Sequence, residues 1–362
     1  MTSDPNSVTW GVVATIKAPV TEILEFTAYH LDLGASRITI CLDDDNAEAK
    51  AILNAHPNCR AIRTDDAYWI ETCGYIPKKH QVRQALNATR VYRESDDIDW
   101  LVHIDVDEFL CPSTSITDAL AQMERSAPCA RVFPCESLCA EHQPGLDPSL
   151  TYCKARPHKS QRTAEFETKL YPTFGGMLKE GFISHTIGKQ FIRTGIENVH
   201  LGIHRAFIQT DRSDRTELSH PQLPGVELCH RHVQSWEKWQ EIMEFRLSRG
   251  SYREELGKNI SASSGRISRH LLFKSLQETG PDDLRAFFEE LCLATPALLA
   301  RLKEHGLLRT YALDLSLKVQ KHFPGFVVYV AKPATMCVEI VATPPILSDR
   351  KNYGLDRLRL VI

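Results

Sequence analysis

The chain has 362 residues, 43% hydrophobic and 25% charged, with 43 Lys+Arg against 46 Asp+Glu and a formal net charge of -3. This is the make-up of a globular protein able to bury a substantial core, long enough for two units, and its balanced charge gives no reason to expect a nucleic-acid partner. No apolar run approaches the roughly 20 residues of a membrane span, and residues 1–10 lack the basic and apolar parts of a secretory signal.

A cytoplasmic location is therefore the expectation, with no transmembrane segment and room left for peripheral attachment to a membrane. Eleven cysteines are scattered without the CxxC pairs of structural zinc, the one close pair being Cys135 and Cys139. In a reducing compartment such thiols serve mostly as small buried residues.

Residues 8–16 are β-branched and apolar, as in a strand buried on both faces. Residues 22–31 carry apolar side chains at Ile23, Leu24, Phe26, Ala28 and Leu31, which suits a helix packed on a sheet and closed by Gly34. A second strand at 37–42 runs into Asp43-Asp44-Asp45-Asn46. A short helix at 47–55 and a third strand at 59–63 follow. A helix at 78–93 then leads to a fourth strand, 99–104, which ends in Asp105-Val106-Asp107-Glu108.

This alternation predicts a Rossmann-like, mainly parallel sheet flanked by helices. Ligands of such sheets bind beyond the carboxyl ends of the strands, where both acidic clusters fall. From 129 to about 207 the pattern shortens and reads as α+β excursions. Beyond 235 helices dominate, at 236–247, 266–279, 282–293, 296–304 and 311–322. Two β-rich stretches, 326–330 and 337–341, lie near the end of the sequence. The domain expectation is an α/β unit over 1–245, with its ligand site at the strand ends, and a mostly helical C-terminal region over 246–362.

Asp105 and Asp107 lie two apart at a strand end, so both carboxylates can serve one hard divalent ion, Mg²⁺ or Mn²⁺, against a diphosphate. A solvated turn explains a bare Asp-x-Asp as well. Here the apolar strand before it and Phe109-Leu110 after it force the acids to the strand mouth. Phosphatases that use Asp-x-Asp place it on an early strand and follow it with other residues. Three strands precede it here, which disfavours that alternative.

The same residues carry a family resemblance. Lys17-Ala18-Pro19, Leu24-Glu25-Phe26-Thr27-Ala28-Tyr29-His30, the Asp43–Asn46 loop and Asp99-Trp100-Leu101-Val102-His103-Ile104-Asp105-Val106-Asp107-Glu108-Phe109 appear in the order of the bacterial family-2-like glycosyltransferases. Gly188–Arg193 with Leu201–Arg205, and Cys229–Ser235 with Arg249-Gly250, also resemble that family. The family has Asn-Glu where this chain has Ala18-Pro19.

The resemblance implies a GT-A-type fold, a nucleotide-diphospho-sugar donor and transfer to a saccharide or other hydroxyl acceptor, by inversion in the family's manner. It places the metal on Asp105 and Asp107, with His230 completing the shell and His204 second. Lys17, Asp43 and Asp45 would meet the nucleotide together with Asp105. Asp107 would belong to the catalytic centre, with Glu136 or Glu108 as proton acceptor, and Lys189 and Arg193 could meet phosphate. The reading in another class is a catalytically silent GT-A-like module that binds sugar or a partner.

Overall fold

The computed structural model describes residues 8–211, 214–248, 250, 252, 254 and 268–326. In the first half, strand β1 (Trp10–Ile16) leads to helix α1 (Val20–Asp32), β2 (Arg37–Leu42), α2 (Ala47–Asn54), β3 (Cys59–Arg63), α3 (Asp66–Cys73), α4 (His80–Arg93) and β4 (Trp100–His103). These four strands are parallel in the order β3-β2-β1-β4. Every residue of β1 is buried, as its unbroken apolar run requires of a central strand. Helix α1 follows Pro19 and covers the sheet with Ile23, Leu24, Phe26, Ala28 and Leu31, and the chain leaves it through Gly34 at φ +95°. The expected α/β class, with helices flanking the sheet, is what the structure shows.

The chain continues through β5 (Glu108–Pro112), α5 (Ile116–Ala121), β6 (Cys129–Ser137), β7 (Leu150–Lys154), α6 (Ala164–Leu170) and β8 (Lys189–Arg193). A small antiparallel sheet of β9 (Val199–Leu201), β10 (Ala206–Gln209) and β11 (Arg215–Glu217) follows. Next come β12 (Gln222–His230), α7 (Trp236–Ser248), α8 (Arg269–Thr279), α9 (Pro281–Leu291), α10 (Pro296–Glu304), β13 (Leu308–Ala312) and α11 (Leu315–His322). The main sheet extends beyond β4 as β8, β6, β7 and β13, and β12 lies between β5 and β6. This added part is largely antiparallel, so the sheet as a whole is mixed.

Helices α7–α10 pack with residues 138–183 on a second hydrophobic core built around Trp239, Phe273, Phe287, Phe288 and Tyr171. None of the described helices is long and apolar enough to cross a membrane.

Elements the sequence reading did not foresee include α5 and β12, and two more show why. Residues 66–73 form a helix, capped by Asp65 on the Tyr68 amide and closed by Gly74 in the left-handed region. Residues 308–312, partly expected as helix from 311, pair antiparallel with β7, and the helix starts only at Leu315. Thr310 and Tyr311 favour a strand, and an available sheet edge decides for it. The stretch at 337–341 and all but Phe326 of the stretch at 326–330 lie outside the described residues. The ten described cysteines are free, and eight are buried.

His30 is a buried polar member of α1. Its Nδ1 donates to the Phe26 carbonyl at 2.8 Å, and Nε2 accepts from the Leu110 amide at 3.5 Å. Burial, against lesser opposing contributions from Phe26 and Glu108, lowers its pKa to about 4. Between that value and 6.5 the unfolded chain binds the extra proton, so His30 favours folding at neutral pH and this contribution declines as pH falls through the window. Denaturant unfolding at pH 7 and pH 5 should show wild type losing roughly 2 kcal/mol more than His30→Gln. An equal loss in both proteins would rule out His30 as the titrating group.

Candidate functional site

Because β1, β2, β3 and β4 are parallel, their carboxyl ends share one edge of the sheet. Lys17, Asp43, Thr64 and Asp105 follow closely there. Helix α4 joins the two acidic clusters through neighbouring residues of its first turns. Arg83 Nη1 donates to Asp43 Oδ1 at 2.8 Å, and Gln84 Nε2 donates to Asp105 Oδ1. His80 Nδ1 lies 3.4 Å from Asp43 Oδ2. Burial acts to raise the Asp43 pKa, but His80 and Arg83 outweigh it and lower the pKa.

A cleft of about 430 Å³ opens here, lined in part by Asp43, Asp44, Asp45, Arg63, Asp65 and Arg83. Asp45 stands outward, 3.2 Å from Arg63. Lys17 is exposed, and its charge reaches Asp44, whose buried Oδ1 has no partner.

At the end of β4 a buried lysine holds the acids. Lys189 Nζ, on a side chain with no exposure, lies 2.7 Å from Asp105 Oδ2 and 3.1 Å from Glu108 Oε2. Glu108 Oε2 also accepts from the Asp105 amide at 2.8 Å. Burial disfavours all three charges. Lys189 nevertheless holds Asp105 well below the usual carboxylate range and lowers Glu108, and the two acids raise Lys189 in turn. The preceding Gly188 sits at φ +79°, where a Cβ would lie 2.0 Å from the Val132 carbonyl, so only glycine brings the chain in this close.

Across the sheet, Glu108 pairs with His230, His230 with Glu136, and Glu136 with Lys154. These four residues form one row over β5, β12, β6 and β7. Their neighbours Phe109, Cys229, Cys135 and Cys153 form a separate apolar cluster with Tyr29, Cys111 and Leu313. His230 Nε2 lies 3.2 Å from Asp107 Oδ2. Despite burial, Asp107 and Glu108 raise the His230 pKa, and His230 in turn holds Asp107 down to about 2.

His185 Nε2 lies 3.1 Å from Glu108 Oε1, while its Nδ1 accepts from the Gly188 amide at 3.3 Å, so the ring proton belongs on Nε2. His204 packs against His185 with ring centroids 4.1 Å apart, and burial, with His185 and Lys189, lowers its pKa to about 3.

The structure therefore brings together Asp105, Asp107, Glu108 and His230, but gives them different tasks. Both oxygens of Asp105 are engaged, one by Gln84 and one by Lys189. Asp107 keeps 33% of its side chain open. Glu136 accepts from the Ile183 and Ser184 amides at 3.2 and 2.5 Å and lies 3.2 Å from Lys154. Burial notwithstanding, Lys154 and the other partners hold Glu136 at about 2, which makes it a weak proton acceptor at neutral pH. Arg193 lies over Trp100, 4.2 Å from the ring centroid, and donates to the Ala127 and Glu124 carbonyls.

His185 and Gln84 were missed in the sequence. His185 stands in an irregular segment with no periodicity to mark it. Gln84 did leave a signal: with Asn87 it puts two amides on the face of α4 that otherwise buries Ala88 and Val91.

The donor chemistry fits a divalent cation. One ligand atom each from Glu108, His185 and His230 lie within 4.8 Å of one another, and buried His230 Nδ1 has no partner. Asp107 adds an open carboxylate. A mixed carboxylate and imidazole set suits Mn²⁺ better than Mg²⁺. His185 would have to move its proton to Nδ1 and give up Gly188 to ligate through Nε2. His230 faces Asp107 through Nε2, so an ion shared by these two would replace that contact and leave the ring proton on Nδ1.

No family model matches the chain, and no curated protein matches it. Among solved structures it is similar to "WbbM bifunctional glycosytransferase apo structure" over 37% of this chain and 24% of that one, at 16% identity and TM-score 0.26. It therefore spans about a quarter of that chain. HddC from Yersinia pseudotuberculosis is similar over 64% of this chain and 97% of its own, at 9% identity and TM-score 0.30. Likeness this slight fixes neither family nor activity.

Replacing Lys189 by Ala removes the buried counter-charge shared by Asp105 and Glu108 and leaves them only Gln84, His185 and the Asp105 amide, at an expected cost of about 3–5 kcal/mol. Denaturant unfolding of Lys189→Ala measures this directly. A loss below about 1 kcal/mol would contradict the buried ion triad.

Proposed function

We propose that this protein is a metal-dependent glycosyltransferase that takes a sugar from a nucleotide-diphospho-sugar and passes it to a hydroxyl of a saccharide or related acceptor. The observation that carries this reading is the convergence of the Asp43–Asp45 cleft and the Asp105–His230 cluster on one edge of the parallel strands, linked by adjacent residues of α4. A cleft of about 430 Å³ lies in the size range of small-molecule sites and suits a nucleoside. Asp44, Asp45 and Lys17 stand where they can meet it. Asp43, pinned by Arg83 and His80, shapes its wall. The division into a GT-A unit to about residue 245 and a helical region that shapes the acceptor side belongs to the same reading.

Asp107 and His230, with Glu108 and His185 beside them, would hold Mn²⁺. When bound, the ion would supply positive charge to the departing diphosphate. Asp105 serves this centre indirectly: its charge fixes Lys189 and Gln84, and Lys189 in turn keeps Glu108 ionised. Against a silent site, Asp107 keeps a partly open carboxylate beside the His230 imidazole.

The test is a panel of UDP-, GDP- and dTDP-sugars, each with and without Mn²⁺, read by melting temperature and by release of the nucleoside diphosphate. At least one donor should raise the melting temperature in a metal-dependent way and be turned over slowly in the absence of acceptor. Asp107→Ala should keep the wild-type fold and lose that metal-dependent shift. Absence of any shift or hydrolysis with the whole panel would sink the transferase reading.

A further inference from the structure

The cations first expected to meet phosphate are otherwise engaged. Lys189 is neutralised by Asp105 and Glu108, and Arg193 is committed to Trp100 and two carbonyls. Two other guanidinium groups approach the centre from the helical region. Arg246 of α7 donates from Nη1 to the Tyr252 hydroxyl at 3.1 Å, and that hydroxyl donates to the Ile183 carbonyl at 2.6 Å. Arg269, the first residue of α8, donates from Nη2 to the Ser184 carbonyl. Both guanidinium carbons lie near the Tyr252 ring, at 5.5 and 5.9 Å from its centroid. They therefore grip the segment that leads directly into His185.

Neither arginine has a carboxylate partner among the described residues. Arg269 Nε and Ser184 Oγ are buried without any hydrogen-bond partner, although buried polar atoms are ordinarily satisfied. The charge of Arg246 reaches Asp107, Glu136, His230 and His232, which places it beside the metal-binding set. Asp105, Asp107, Glu108 and Glu136 thus lie within reach of Lys154, Lys189, His230 and Arg246, with Arg269 bound to the neighbouring Ser184 carbonyl. Lys154 and Lys189 are consumed in buried pairs. The two arginines are the charges left for a ligand.

We propose that Arg246 and Arg269 form an anion clamp for the diphosphate of the nucleotide, holding its oxygens on the side opposite the acidic cluster. The planar guanidinium fork matches phosphate oxygens, and Arg246 and Arg269 offer such forks from two separate helices. The ion and the diphosphate then enter as a nearly charge-matched pair, which a site with balanced fixed charges accommodates. This inference rests on the nucleotide-diphosphate reading above, but its test is separate from donor turnover.

The probe is inorganic pyrophosphate, titrated calorimetrically in the presence of Mn²⁺ into wild type, Arg246→Gln, Arg269→Gln and Arg246→Lys. Each Gln variant should bind about tenfold more weakly, as expected for a lost charge-assisted hydrogen bond. Arg246→Lys should recover part of the loss, and Mn²⁺ affinity measured without pyrophosphate should not fall in any variant, since none of them adds positive charge beside the ion. Arg269 also supports Ser184, so if Arg269→Gln fails to fold, the Arg246 pair of variants decides. Wild-type protein that ignores pyrophosphate, or Gln variants that bind it as tightly as wild type, would overturn the clamp. If the clamp holds while no nucleotide sugar binds, the transferase reading falls and the anion site stands. If a donor is turned over but the variants bind pyrophosphate normally, the reverse follows.

Discussion

The ammonium group of Lys189, buried between Asp105 and Glu108, is the interaction on which the strand mouth depends. It lowers the pKa of both carboxylates at the end of β4, against burial that penalises each charge and a proximity that raises Glu108. The lysine reaches them because Gly188 lets β8 begin against the Val132 carbonyl. With both Asp105 oxygens engaged by Lys189 and Gln84, Asp107 is paired only through Oδ2 to His230 and keeps part of its carboxylate open. An Asp-x-Asp that reads as two equal ligands is in the fold one carboxylate engaged at both oxygens and one paired through a single oxygen, although the two are similarly exposed.

The second constraint is the two-residue period of a strand. Glu108, His230, Glu136 and Lys154 share a cross-strand row, and each has an apolar or thiol neighbour one position away in the Phe109, Cys229, Cys135 and Cys153 cluster. Four of the cysteines, Cys111, Cys135, Cys153 and Cys229, are explained by this arrangement. They are small enough to pack beneath a crowded polar row, with Tyr29 and Leu313 closing the cluster. A one-residue slip in β12 would bury His230 among thiols and present Cys229 to Asp107. On the proposed reading, the register of that strand serves the site as well as the fold.

The parts of this arrangement governed by local pattern were legible in the sequence. β1 to β4, α1 and both acidic strand ends follow from apolar runs, a helical period and the chemistry of strand termini. The pairing of Lys189 with Asp105 joins residues 84 apart in sequence, and His185 lies in a segment without a repeat, so neither leaves a local mark. Glu136 illustrates the same limit. An acid on a strand suggests catalysis, but two amides and Lys154 make it an internal counter-ion. Helix α3 was missed although Asp65 and Gly74 bracket it with a cap at either end, and β13 depended on a partner edge far away in sequence.

The central claim is that Asp107 and His230 hold a divalent cation at the strand mouth, and electron paramagnetic resonance of Mn²⁺ tests it most directly. Titrating Mn²⁺ into the wild-type protein should quench the free-ion signal at one ion per chain. His230→Ala should leave most of that signal intact while its unfolding transition remains cooperative. An undiminished free-ion spectrum with wild-type protein, or equal binding by His230→Ala, would contradict the account.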